Sequence, residues 1–168
     1  MTPNIRSILV PTDFSASSDR AVEYASALAQ SLGASLHLIH VINSLVTAEK
    51  PWEASAIDAA GWHEVLYQEG VVKLRFLAQK IRDQGVHASC EVRSGAAASE
   101  IVHAAVDYGA DLIIMSTNGR SGLPHLLLGS VAEHVIRSAS CPVLVLRNAQ
   151  IHGLPVTDER TFEHVASV

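Results

Sequence analysis

Short apolar runs alternate with longer amphipathic segments along most of this chain, and that alternation restricts its fold more than any other feature. The first run, Ile8-Leu9-Val10, is closed by Pro11. From about Ser17 to Leu32, the residues Ala21, Ala25, Leu28 and Leu32 fall at helical spacing, and Gly33 supplies a helix stop. Leu36 to Ile42 is rich in strand formers, and Leu66, Gly70, Leu74, Leu77 and Ile81 then make a second helical stripe ended by Gly85. A weaker strand over His87 to Val92 precedes a helix over about Ser99 to Tyr108, with Gly109 at its end. Leu112 to Met115 reads as a fully buried strand, Ser130 opens a helix reaching Ser138 or Ala139, and Val143 to Leu146 is the last strand.

Strands that alternate strictly with helices imply a parallel sheet with helices on both faces. The expected fold is therefore α/β, a single doubly wound domain with five strands. In such sheets the strand order reverses beside the first strand, and ligands bind at the carboxyl ends of the strands that flank the reversal. Residues 1–147 are expected to form the domain and 148–168 an irregular tail. The connection from Asn43 to Gly61, which holds Pro51 and Trp52, reads as a mobile insertion between elements, with a lid over the site as the competing reading.

A formal charge of −5 over 168 residues disfavours a general nucleic-acid binder, which carries a basic face. Apolar runs of only four to six residues fall far short of the ~20 needed to cross a bilayer, and no secretion signal opens the chain. Cys90 and Cys141 are too few for a disulfide framework and read as buried thiols in a reducing compartment. A soluble, cytoplasmic protein without nucleic-acid or membrane partners is expected.

The segment from Ser116 to Ser130 runs Ser-Thr-Asn-Gly-Arg-Ser-Gly-Leu-Pro-His-Leu-Leu-Leu-Gly-Ser, between a buried strand and a helix. Gly119, Gly122 and Gly129 let backbone approach a ligand closely. Ser130 and Glu133 fit an S-x-x-E capping box, and the helix amides that follow favour an anion. Arg120 and His125 lie in this stretch, whereas no carboxylate occurs from Leu112 to Ala132. That composition suits phosphates; a glycine-rich turn with an ordinary cap is the competing reading. The second segment is Pro11-Thr12-Asp13-Phe14-Ser15, where Asp13 lands at the reversal of strand order and suits ribose hydroxyls. Alternatively, Asp13 or Ser15 simply caps the next helix.

Other signatures are missing. The chain has no G-x-x-x-x-G-K-[ST] loop, no early dinucleotide fingerprint, and no nucleophile elbow, since Gly119-Arg120-Ser121-Gly122 is misspaced around its serine. His37 and His40, three apart on a strand, are expected on opposite faces, and the remaining histidines lack metal-ligand spacing. His125 stands out among them only for its place in the glycine-rich loop.

Together the motifs resemble the universal stress protein family over about Ile5 to Arg147. The resemblance rests on Ile8-Leu9-Val10-Pro11-Thr12-Asp13-Phe14-Ser15 and on His40-Val41. It rests most strongly on Ile113 to Arg147, which ends Ser-Cys-Pro-Val-Leu-Val-Leu-Arg. It implies strand order 3-2-1-4-5, a Rossmann-like, adenine nucleotide alpha hydrolase-like fold, and usually a dimer. The last strand is an apolar outer strand with no proline inside it, and a homodimer paired through Val143, Leu144, Val145 and Leu146 is expected; the competing reading is that residues 148–168 cover that edge. One branch of the family binds ATP through G-x2-G-x9-G-[ST]; here the pattern reads Ser116-x2-Gly119-x9-Gly129-Ser130, with serine at the first glycine.

By that resemblance Asp13 meets the ribose, and Val41 and Met115 line the adenine. Gly119, Gly129, Ser130 and the amide of Val131 hold phosphates. Pro11, Thr12, Ser116 and Arg120 complete the candidate site. Serine in place of a glycine at positive φ costs about 1–2 kcal/mol. The expected ligand is ATP or another adenine nucleotide, with Mg²⁺ where hydrolysis is involved. No residue is an evident general base, so a binding module is favoured over an ATPase. The other class of function open to this fold is a nucleotide-free interaction module with an unknown protein partner.

Overall fold

The computed structural model describes residues 4–43, 56–117 and 128–147, with side chains of α2 described from residue 61. The elements run β1 (Ser7–Pro11), α1 (Ala16–Leu32), β2 (Ser35–Ile42), α2 (Ala56–Asp83), β3 (Ala88–Ser94), α3 (Ala97–Asp107), β4 (Leu112–Ser116), α4 (Ser130–Ser138) and β5 (Val143–Leu146). All strand pairs are parallel, and the sheet order is β3-β2-β1-β4-β5. This is the doubly wound arrangement expected from the alternation.

Side-chain parity along β1 divides the core in two. Ile8 and Val10 join Leu36, Leu38 and Ile114 beneath α1 and α2, while Leu9 joins Ile39 and Ile113 beneath α3 and α4. Ile8, Val10, Ile39, Ile113 and Ile114 are 0% exposed and Leu38 is 1% exposed, so the strand residues read as core are core. α1 lays Ala21, Ala25 and Ala29 against the sheet, and their short side chains let the helix lie close. Gly33 ends it at φ 65° with its amide on the Ala29 carbonyl, a left-handed cap that needs no Cβ. Asp111 ties the start of β4 to β1, its Oδ2 accepting from the amides of Arg6 and Ser7 at 2.8 and 3.0 Å.

Several expectations need correction. The connection read as Asn43 to Gly61 is partly helical, because α2 already begins at Ala56. Gly61 costs a helix only about 1 kcal/mol, too little to stop one rich in alanine and leucine. Pro11 does close the first strand, as expected: it is the last ladder residue of β1, paired with Ile39, and the next amide, Thr12, donates to the Ile39 carbonyl at 2.8 Å. A parallel ladder tolerates the missing donor at a strand end. Cys90 and Cys141 are half-buried rather than buried, since each lies where a core cluster meets its rim. The tail 148–168 and the residues from 44 to 55 lie outside the described residues. No described helix is long and apolar enough to cross a membrane.

His37 and His40 do face opposite ways, and His37 belongs to a polar network that ties edge strand β3 to α3. Its Nδ1 lies 2.6 Å from Ser89 Oγ and its ring stacks on Tyr108 with centroids 4.5 Å apart. Tyr108 donates to Glu91 at 2.8 Å, and Arg93 bridges Glu91 and Asp107 at 3.0 and 2.8 Å. Burial and the Glu91 carboxylate push the Tyr108 hydroxyl up to about 12, while burial and neighbouring His87 hold His37 below its ordinary 6.5. A histidine whose folded pKa is depressed contributes stability present above its unfolded value and lost as pH falls below it. Urea denaturation at about pH 7.5 and about pH 5 should therefore show less acid destabilisation in His37→Phe than in the unaltered protein.

Candidate functional site

The chain reverses direction across the sheet at β1, with β2 on one side and β4 on the other. The β1–β2 ladder spans every residue of β1, whereas the β1–β4 ladder covers only Ile8↔Leu112 and Leu9↔Ile113. The carboxyl ends of β1 and β4 thus run on past their shared ladder, and sheets with such a reversal form their binding crevice at this place.

The turn leaving β1 is fixed from several directions. Thr12, 5% exposed, donates its amide to the Ile39 carbonyl, and its Oγ1 accepts from the Phe14 amide at 3.0 Å and hydrogen-bonds with Ser18 Oγ at 3.1 Å. Asp13 Oδ1 accepts from the Ser15 amide at 3.1 Å and from Ser15 Oγ at 2.6 Å. Ser15 in turn N-caps α1, its Oγ accepting from the Ser18 amide at 3.3 Å. The cap is therefore Ser15, and Asp13 braces it with one carboxylate oxygen. Phe14 adopts φ 61°, a left-handed conformation uncommon for an aromatic residue.

What holds Phe14 there comes from the neighbouring strand and from α2. Its ring lies 4.5 Å from the His40 ring, with Lys73 Nζ 5.7 Å from its centroid. His40 Nδ1 donates to the Thr12 carbonyl at 2.8 Å, which fixes the peptide preceding Asp13. A Cβ at Gly70 of α2 would stand 3.0 Å from His40 Cδ2, so the glycine makes room for the imidazole. Sequence reasoning missed this support; its only trace was the parity that sets His40 on the same strand face as Leu36 and Leu38.

Across the crevice, Thr117 donates to the Leu146 carbonyl at 2.9 Å, and the Gly129 amide donates to the Thr117 carbonyl at 2.8 Å. The second bond pins the start of α4 to the end of β4. It also corrects the expected capping box. Gly129, extended at φ −75° and ψ 153°, is the cap and Ser130 is the first helical residue. Glu133 pairs with Arg137 at 2.8 Å instead of reaching back, as an exposed i,i+4 pair does. The amides of Ser130, Val131 and Ala132 head the helix, where geometry provides no intrahelical acceptor and the helix dipole is positive.

Val41, Met115 and Val131 lie together on the α3/α4 side of the sheet, with Met115 5% exposed. Ser116 is the last residue of β4, in register with Leu146. It does not need positive φ, since Phe14 is the only described non-glycine residue with one. The anticipated strain at this serine is therefore absent, because the residue is still part of the ladder. Gly119, Arg120 and His125 lie outside the described residues. Among the described residues no group of three histidine, cysteine or carboxylate side chains suits a metal. A cavity of about 180 Å³ between α2 and β3, lined by Tyr67, Leu74, Cys90 and Val92 among others, stands apart from the crevice.

The family model for universal stress proteins matches residues 4–147, every strand and helix described above. The chain belongs to the universal stress protein family. It is 37% identical over 146 residues to universal stress protein MJ0531 of Methanocaldococcus jannaschii, covering 84% of this chain and 82% of that one. The solved structure of MJ0577, a universal stress protein of the same organism, superposes with a TM-score of 0.77 at 29% identity over 87% of this chain and 98% of that one. A universal stress protein solved in complex with cAMP superposes with a TM-score of 0.62 at 25% identity, covering 85% of this chain and 97% of that one.

In this family member the first helix depends on its serine cap. Ser15→Ala removes the cap and the hydroxyl hydrogen bond that Asp13 accepts, and should cost about 1 kcal/mol. The urea midpoint should fall with an unchanged slope.

Proposed function

We propose that this universal stress protein binds an adenine nucleotide, ATP, at the carboxyl ends of β1 and β4, and that it acts as a cytoplasmic, dimeric stress-response module. The observation that carries this reading is the pairing of a braced carboxylate turn with a helix N-terminus across one crevice. Asp13, oriented by Ser15, suits the ribose hydroxyls; the amides of Ser130 and Val131 suit phosphate oxygens. Gly129 contributes the absence of a side chain, because its own amide serves Thr117. Val41 and Met115 supply apolar surface for the base. Pro11 and Thr12 set the turn, while Gly119 is assigned to the phosphates by the family motif and Arg120, its neighbour in sequence, completes the site. The relative solved with cAMP supports an adenine ligand. Mg²⁺ is expected to accompany ATP rather than to be held by a dedicated protein site.

Calorimetry with ATP and Mg²⁺ tests the reading. The unaltered protein should bind, and Ser116→Gly should bind equally well or better, since Ser116 already sits unstrained. Asp13→Ala should weaken binding at least about tenfold, or about 1.4 kcal/mol. Undetectable binding at millimolar ATP in both the unaltered protein and Ser116→Gly would instead favour a nucleotide-free interaction module.

The proposed dimer forms at the β5 edge. Val143, Leu144, Val145 and Leu146 are all half-buried on a strand with no proline inside it. An apolar edge of this kind favours pairing with a second copy. Val145→Asp should convert the dimer to monomer in sedimentation; a monomer before any substitution overturns the proposal.

A further inference from the structure

The solvent face of α2 is not that of an ordinary surface helix. Trp62, Val65, Val72 and Phe76 are 60%, 54%, 67% and 68% exposed, while Leu74, Ala78 and Ile81 bury the opposite face against the sheet. Their positions, with Glu69 between them, are separated by three, four, three and four residues. That spacing is the seam of a two-helix coil. The two rings alone leave on the order of 250 Å² of apolar surface to water, within the range of patches that are commonly functional.

The charges along the helix say what fits this face. Between residues 61 and 70 the charged side chains are Glu64 and Glu69; from 73 to the end of the helix they are Lys73, Arg75, Lys80 and Arg82, with a single carboxylate at the terminal Asp83. A matching partner is a helix with an apolar stripe whose acidic and basic halves run the other way, and α2 turned end for end is such a helix. Parallel pairing sets like charges side by side.

We infer that α2 is a second self-association surface, on which two copies of the chain pair through antiparallel α2 helices. The register follows from charge and volume. Setting Glu69 on the partner's Glu69 is repulsive, whereas sliding by about three residues brings Glu69 beside the partner's Lys73. The same register sets Val65 against the partner's Phe76, and Trp62 near the partner's Lys80, whose ammonium suits an indole face. Glu69 already pairs with Lys73 within one helix, so two such pairs meet at the two-fold axis with alternating sign. α2 packs on β3 and β2, at the far side of the sheet from β5, so this association is compatible with edge pairing. The seam alone buries less than the roughly 1,200 Å² of a standard stable interface, so the association is reversible and concentration-dependent.

Cysteine crosslinking of the full chain tests both the pairing and its direction. Positions 65 and 76 are eleven residues apart, about 16 Å along one helix, so a disulfide between them must join two copies. Under mild oxidation, an equal mixture of Val65→Cys and Phe76→Cys chains should form the mixed covalent dimer at least tenfold faster than either variant alone or the unaltered chain. In sedimentation at high concentration, Phe76→Asp should reduce the largest species to the dimer where β5 also pairs and to the monomer where it does not. Glu69→Lys should weaken association, and Glu69→Lys with Lys73→Glu should restore it. Crosslinks that form equally in each single variant, no crosslink above the unaltered chain, or an unchanged largest species in Phe76→Asp would each overturn the inference.

Discussion

The enclosure of β1 on both faces is the constraint on which the molecule depends. Ile8, Leu9 and Val10 are all 0% exposed, so no side of this strand can turn to solvent. Burying each such side chain contributes roughly 1.5–3 kcal/mol, and only a sheet with helices above and below supplies two apolar faces. The remaining elements satisfy that demand. α1 and α2 cover one face, α3 and α4 the other, and β2 and β4 occupy the two edges of β1.

Where the buried strand ends, its polar continuation must find partners at once. Thr12 and Ser18 are 5% and 2% exposed, and no buried side-chain polar atom among the described residues lacks a hydrogen bond. The turn that results is rigid because each group satisfies another: Thr12 serves Phe14 and Ser18, Asp13 serves Ser15, and His40 serves Thr12. Holding Phe14 in a left-handed conformation costs free energy, which the ring contact with His40 and the packing of α2 offset. A rigid turn at a reversal of strand order is what a binding site requires before any ligand arrives.

Much of this was legible from residue order. The apolar runs are long enough to be strands and too short for anything else, so Ile8, Leu38, Ile113 and Ile114 identified themselves as core. Asp13 was found because it follows the first strand closely, and the Gly129–Ser130 junction because a glycine-rich, carboxylate-free stretch ends there in a helix-cap pattern. The misreadings turned on local preferences that were either too weak to decide the structure or overruled by a distant partner. Ser130 and Glu133 satisfy a capping pattern, yet the Thr117 carbonyl claims the Gly129 amide and shifts the cap by one residue. Gly61 looks like a boundary, and α2 passes through it. The role of His40 was invisible for the same reason, because its partner lies 28 residues away in the chain.

The pairing of Ile8 with Leu112 has a consequence for synthesis. β1 emerges first from the ribosome, but the strand that closes its second edge emerges more than a hundred residues later. Through that interval β1 has only β2 beside it, and its other edge is a template for wrong partners. Pro11, with no amide hydrogen, and the tightly closed turn behind it shorten that template at one end. The residues at the mouth of the crevice therefore protect the nascent chain before they can take part in any site.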